Sequence, residues 1–463
     1  MNIVKHFRLA TRLPIFVLLI LSLASSAAAE WKEKVLYSFQ GGGDGAYPAG
    51  GVVFDKQGNL YGATQQGGGT NCSPMAACGT VYQLSPPAKQ GDPWTETLLH
   101  VFKGKQSNDG EFPSGGVIAD AAGNIYGTSS YGGSGDCVLL GIKGGCGTVF
   151  ELSPPQTKGG QWTYTILYSF KGGKDGYLPF GDLVFDSAGN LYGATYFGGG
   201  KGTTCNPYYQ YCGTVFKLSP PKTKGGAWTE RVLHSFAGGT DGANPNGGLV
   251  FDGTGAIYGT AYSGGGTSNC YADGIVGCGT VFQLKPPTAN GGAWIENTLH
   301  RFQGGKQDTN TPMAGLTRDK NGNLYGTTAG GQNSGGDDGA VYRLSRLTNG
   351  QARWVETLIR RLSVGDGVSP MAELTFDAIG KLFCTASAGG ASGGGTIFRL
   401  EPTTDAWIVS VLHAFTGTPD GSYPSARTTF DESGNLYGTT QQGGYTGASC
   451  GYQGCGTVFI AVP

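Results

Sequence analysis

The sequence predicts an all-β fold, a seven-bladed β-propeller, and three observations carry the prediction. Seven tryptophans, Trp31, Trp94, Trp162, Trp228, Trp294, Trp354 and Trp407, recur at near-even intervals, and each opens the same segment. Each repeat holds four short stretches rich in aromatic and β-branched residues, bounded by Gly, Pro, Asn or Asp, with no helical period of useful length. Glycine supplies 86 of the 463 residues, yet 38% are hydrophobic and 11% aromatic, so the glycines punctuate a packed, turn-rich fold. Four antiparallel strands repeated around an axis close into a ring. Each unit then buries its faces against its neighbours, and no long sheet edge stays open.

Taken in order, residues 1–29 read as an export signal. Lys5, Arg8 and Arg12 give a basic start, Ile15 to Ala24 an apolar stretch too short for a membrane span, and Ala27 to Ala29 a small-residue cleavage site. The mature chain, 30–463, is expected to be one propeller domain, secreted, with the periplasm as the alternative. In the first repeat, strand A (Val52 to Asp55) is apolar at consecutive positions, as suits an innermost strand buried on both faces. A Lys-Gln-Gly-Asn turn leads to strand B (Asn59 to Thr64), and a Gly-rich loop leads on to strand C (Gly79 to Leu84). Strand D (Trp94 to Phe102) mixes polar with apolar residues like an outer edge. Trp31 to Phe39 is itself a D strand and Gly456 to Val462 a C strand, so the N-terminal strand is predicted to complete the last blade and latch the ring.

The repeat resembles the GloVer tandem repeats of secreted bacterial proteins. The resemblance rests on Phe185-Asp186, Gly189-Asn190, Tyr192-Gly193 and Thr195, followed by Gly213 to Pro220, and it covers essentially the whole mature chain. It implies a propeller-like fold and an export route, and it supplies no site residues.

Several recurrent features are structural. In the Asp-x-x-Gly-Asn turn between A and B, Asp55 can accept backbone N–H bonds, Gly58 takes positive φ and Asn59 tolerates it, which closes a hairpin. The tyrosines of Leu-Tyr-Gly and the tryptophans recur with the period, as packing residues between blades do. His100, His234, His300 and His413 share one position of strand D, where other copies have Tyr37, Tyr168 and Arg360. Side chains repeated around a ring cannot converge on one substrate, so a Ser-His-Asp or Cys-His catalyst and a His-based zinc site lack candidates. The cysteines pair within B–C loops as Cys72/Cys78, Cys137/Cys146, Cys205/Cys212, Cys270/Cys278 and Cys450/Cys455. Cys384 is left as a buried thiol.

The D–A and B–C loops emerge on one face. There an Asp stands four residues before a Pro in every copy: Asp44, Asp109, Asp175, Asp241, Asp308, Asp366 and Asp420. These read first as turn residues, with a calcium-holding carboxylate ring as the sharper alternative; no other cofactor is expected. The B–C loops are long in blades one to four and seven. They carry Tyr131, Tyr196, Phe197, Tyr208, Tyr209, Tyr211, Tyr262, Tyr271, Tyr445 and Tyr452, the rigid amphipathic rings that a sugar- or peptide-binding surface uses. The expected function is an extracellular binding module for polysaccharide. The alternatives are a polysaccharide lyase or glycosidase drawing a carboxylate pair from Asp136, Asp273, Asp337 and Asp338, or a structural, protein-interaction module. The formal net charge of −1 excludes a nucleic-acid footprint. The expected partner is an extracellular polysaccharide or protein, with no membrane span in the mature chain and a monomeric state.

Overall fold

Each repeat is built around a tight turn between strands A and B. In the first copy the Asp55 carboxylate accepts the backbone N–H groups of Gln57 and Asn59, the Asn59 side-chain amide and the Tyr61 hydroxyl. Gly58 sits at φ +81°, a conformation that glycine adopts without a Cβ penalty. The turn pairs Val53 with Tyr61 and Phe54 with Leu60, so strand A is a two-residue strand, shorter than its apolar run suggests.

The structure, a computed structural model, describes residues 31–463 except 70–77, 90, 140–141, 158, 201–204, 206–211, 224, 268–269, 273–274, 290, 306–307, 331–337, 348–352 and 448. Seven antiparallel sheets follow one another with strand order A-B-C-D, making the seven-bladed propeller. The first blade is Val53–Phe54, Leu60–Thr64, Thr80–Ser85 and Thr95–Val101. In blades three and four a short segment of the D–A loop, Tyr177–Pro179 or Ala243–Pro245, adds to strand B. The seventh blade is completed by the N-terminal strand Lys32–Ser38, paired with Thr457–Val462 from Lys32 opposite Val462 to Ser38 opposite Thr457. Every C–D pair carries a register shift at the same place, as between Val81 and Tyr82 in blade one and between Val35 and Tyr37 at the seam. The bulge is therefore part of the repeat, and the seam reproduces it.

The core lies between blades. At six of the seven junctions the aromatic ending a D strand meets the aromatic in strand C of the next blade, as in Phe102–Phe150, Phe170–Phe216 and Phe236–Phe282, with ring centroids 5.1–5.4 Å apart, and Leu362 takes the place of the ring at the other. Phe39 of the N-terminal strand makes the same contact with Tyr82 of blade one at 5.1 Å. The Leu-Tyr-Gly tyrosines pack edge-on against strand-A phenylalanines of the next blade, as Tyr192–Phe251 does, and against a tryptophan beyond, as in Tyr192–Trp294. Fully burying rings of this size contributes about 2–3 kcal/mol each, which makes the blade interfaces the main source of stability.

Candidate functional site

Strand A is innermost, so the residues entering it line the axis. Two successive positions do this in all seven repeats, and both border a central cavity of about 410 Å³. At the first stand Gly50, Gly115, Gly181, Gly247, Ala314, Ala372 and Ala426. The backbones approach so closely that a Cβ on Gly247 would lie 2.2 Å from the Gly315 nitrogen, and one on Gly50 2.4 Å from the Gly116 Cα. At the second position four copies keep glycine, and three do not: Asp182, Glu373 and Arg427. These three charges, contributed by blades three, six and seven, share the cavity. The Asp182 carboxylate accepts the Gly116 N–H at 2.5 Å. Glu373 lies across the glycines of two other blades, where a Cβ on Gly248 would come within 2.4 Å of its Oε1. Arg427 Nη1 donates to Glu373 Oε2 at 3.4 Å. Burial, reinforced by the Asp182 charge, raises the Glu373 carboxyl above its ordinary range against the opposing pull of Arg427. The guanidinium in turn is held charged by Glu373. A search for repeated residues passes over all three. The signal that finds them is the break in the Gly-Gly pattern before strand A.

Around the mouth each D–A loop is stapled to the preceding blade. The residue before the loop proline is Tyr47, Phe112, Leu178, Asn244, Thr311, Ser369 or Tyr423, and all seven have φ between 53° and 61°. Left-handed geometry in such side chains costs about 1–3 kcal/mol each and persists where surrounding contacts impose it. Here the N–H donates to a carbonyl of the preceding blade: Tyr47 to Cys455, Phe112 to Cys78, Leu178 to Cys146, Asn244 to Cys212, Thr311 to Cys278, Ser369 to Asp338 and Tyr423 to Gly394. In five blades the acceptor is thus a cysteine of the B–C loop. Cys137–Cys146, Cys205–Cys212, Cys270–Cys278 and Cys450–Cys455 are disulfides, and Cys78 is disulfide-bonded as well, while its expected partner Cys72 lies outside the described residues. Cys384 is a buried free thiol.

The seven loop aspartates turn back onto their own strand D. Each carboxylate accepts a backbone N–H of its loop, from Gln40 for Asp44 and Lys103 for Asp109 through to Ser363 for Asp366 and Thr416 for Asp420. Each also meets the recurrent strand-D side chain at 2.7–3.5 Å: Tyr37, His100, Tyr168, His234, His300, Arg360 or His413. A third group arrives from the next blade. At the seam Glu33, His413 and Asp420 offer ligand atoms within 4.8 Å of one another. Glu96 beside Asp44 and Glu230 beside Asp175 repeat the arrangement, which identifies it as a blade junction.

The loop aromatics divide. Tyr131, Tyr196 and Tyr262 are half-buried near the mouth. Phe180 at the cavity rim is 6.4 Å from Tyr196, and Tyr196 is 6.4 Å from Tyr262, so three rings cross from blade three to blade four. Phe112 faces Tyr131 at 6.1 Å. Tyr445 and Tyr452 are exposed on blade seven. Phe197, expected at the binding surface, is only 5% exposed and stacks on Tyr177, so it belongs to the packing of its own blade. Tyr208, Tyr209 and Tyr211 lie outside the described residues, and Tyr271 is described only in its backbone, in the strand Tyr271–Ala272. Of the acids considered for a catalytic pair, Asp136 is bound to Lys105, the Asp338 carbonyl receives the Ser369 N–H, and Asp273 and Asp337 lie outside the described residues. Among the described residues no helix is long and apolar enough to cross a membrane.

Comparison with solved structures finds similar folds at low identity. A protein of Bacteroides uniformis named for 6-phosphogluconolactonase is 12% identical, with TM-score 0.44 over 78% of this chain and 83% of that one. A carbohydrate-active enzyme of Trichoderma reesei is 13% identical, with TM-score 0.42 over 94% and 96%. A protein of unknown function from Dyadobacter fermentans is 11% identical, with TM-score 0.42 over 94% and 98%. A search of curated proteins found no match. The Gloeobacter/Verrucomicrobia repeat matches residues 25–203, 137–358 and 337–462, and with the seven repeated blades this places the chain in the Gloeobacter/Verrucomicrobia repeat family.

Proposed function

We propose that the protein is an extracellular binding module for polysaccharide, whose ligand lies across the disulfide-closed loops and over the channel mouth. The observation that carries this reading is the run of partly exposed rings Phe180, Tyr196 and Tyr262 at the rim of the cavity. Flat rings at fixed spacing offer pyranose faces apolar contact at little entropic cost, because the staples and disulfides already hold the loops. Disulfides in four described loops fit an oxidising compartment, consistent with export. A second reading, cleavage of the same polymer, draws on the two carboxyl groups of Asp182 and Glu373 in one cavity.

The test is retention of the full chain on a panel of soluble and insoluble polysaccharides, with released reducing ends assayed in the same tubes. Retention without release supports binding alone, and release supports the second reading. Replacing Tyr196 and Tyr262 together by Ala is expected to weaken retention by about tenfold or more while leaving the melting temperature within a few degrees. Retention unchanged in that double variant would remove the aromatic run from the site.

A further inference from the structure

We infer that the channel is an acid-selective subsite in which Arg427 takes the carboxylate of a uronic-acid residue, with Asp182 and Glu373 meeting its hydroxyls. The inference deepens the polysaccharide-binding reading and rests on it. Three observations support it. The first is the state of Arg427: a guanidinium carries five N–H donors, and among the described residues its one hydrogen-bonded partner is Glu373 at 3.4 Å, while 43% of its side chain remains accessible. Arginine–carboxylate pairs are frequently shorter and two-pronged, and this one is neither, which leaves guanidinium donors for a ligand. The second is space. About 410 Å³ stays open above these groups, within the range of pockets that enclose a small ligand and enough to admit a sugar unit. The third is the disposition of the carboxyls. Asp182 is tied to the Gly116 N–H, and Glu373 is drawn across Gly248 and Gly315, 14% accessible. At 43% accessible, the guanidinium is the more open member of its pair with Glu373. The rim ring of Phe180 stands beside the same space, so a chain stacked on the rim rings can lower one unit onto the arginine.

The experiment compares oligogalacturonate with the same oligosaccharide as its methyl ester, by calorimetry on the full chain, together with neutral polysaccharides. The acid form is expected to bind on the order of tenfold more tightly than the ester, since a charge-assisted bond replaces a neutral one. Arg427→Gln is expected to abolish that preference, bringing acid and ester to the same affinity. Equal affinity for acid and ester in the native protein, or a preference that survives Arg427→Gln, overturns the inference while leaving the binding module standing. Absence of binding to every polysaccharide, neutral ones included, overturns the binding reading and this one with it. Because the acid-against-ester comparison is made on the native chain, it decides the question even if the variant folds poorly.

Discussion

Glu33 shows how much a single carboxyl is asked to do at a blade junction. Its side chain is 6% accessible and stands 4.0 Å from the His413 ring, with Asp420 beyond. Burial, then the Asp420 charge, pushes its carboxyl up to about 8, and Glu96 beside Asp44 and Glu230 beside Asp175 reach about 7 by the same route. The folded state therefore binds protons that the unfolded chain releases near pH 4.5. This stabilisation is complete below about pH 4.5 and is lost as pH rises through about 7 to 8. The melting temperature should fall between pH 5 and pH 9. Glu33→Gln, which keeps the neutral shape, should flatten that fall and melt higher than the native chain at pH 9, by a few degrees in a thermal-shift series. Parallel curves for the two proteins would show that Glu33 is ionised in the fold.

Among the elements, the entry to strand A demands glycine at its first position in blades one to four. Gly247→Ala puts a methyl group 2.2 Å from the backbone of the next blade and should abolish soluble folded protein. Gly58→Ala, at φ +81° with nothing near its Cβ position, should cost only about 1 kcal/mol, as read by chemical denaturation. If the two variants were equally stable, the channel contacts would not be the constraint. Most of this level was readable in the residues. The four strands, the Asp55–Asn59 turn, the packing tyrosines and the local cysteine pairs each repeat, and repetition makes a weak local signal strong. The left-handed staple was not readable, because Tyr47, Phe112 and Asn244 have no shared chemistry; a carbonyl of the neighbouring blade imposes their geometry. Asp182, Glu373 and Arg427 were hidden for the opposite reason. They matter by departing from the repeat, and only the closed ring brings positions so far apart in sequence into one cavity. Phe197 went astray because strand B runs further in blade three, Leu191–Phe197, and carries the ring inside.

For the molecule as a whole, the seam repeats what every other blade does within a continuous chain. Its register, its bulge and its Phe39–Tyr82 contact match those of the other blades, so the position of the break should be interchangeable. A circular permutant that links Pro463 to Trp31 through a short C–D type loop, and opens between the exposed residues Thr288 and Ala289, should fold and melt within about 5 °C of the native protein. An unfolded permutant would mean that the seam carries something the other six C–D pairs lack. The seam also has a mechanical meaning. Lys32 and Val462 lie opposite each other at the same end of their antiparallel pair. Tension applied between these two ends would separate the strands one rung at a time, starting at that pair. The ring would open like a zip at low force, while a pull between two points within the closed blades would have to shear whole sheets at once.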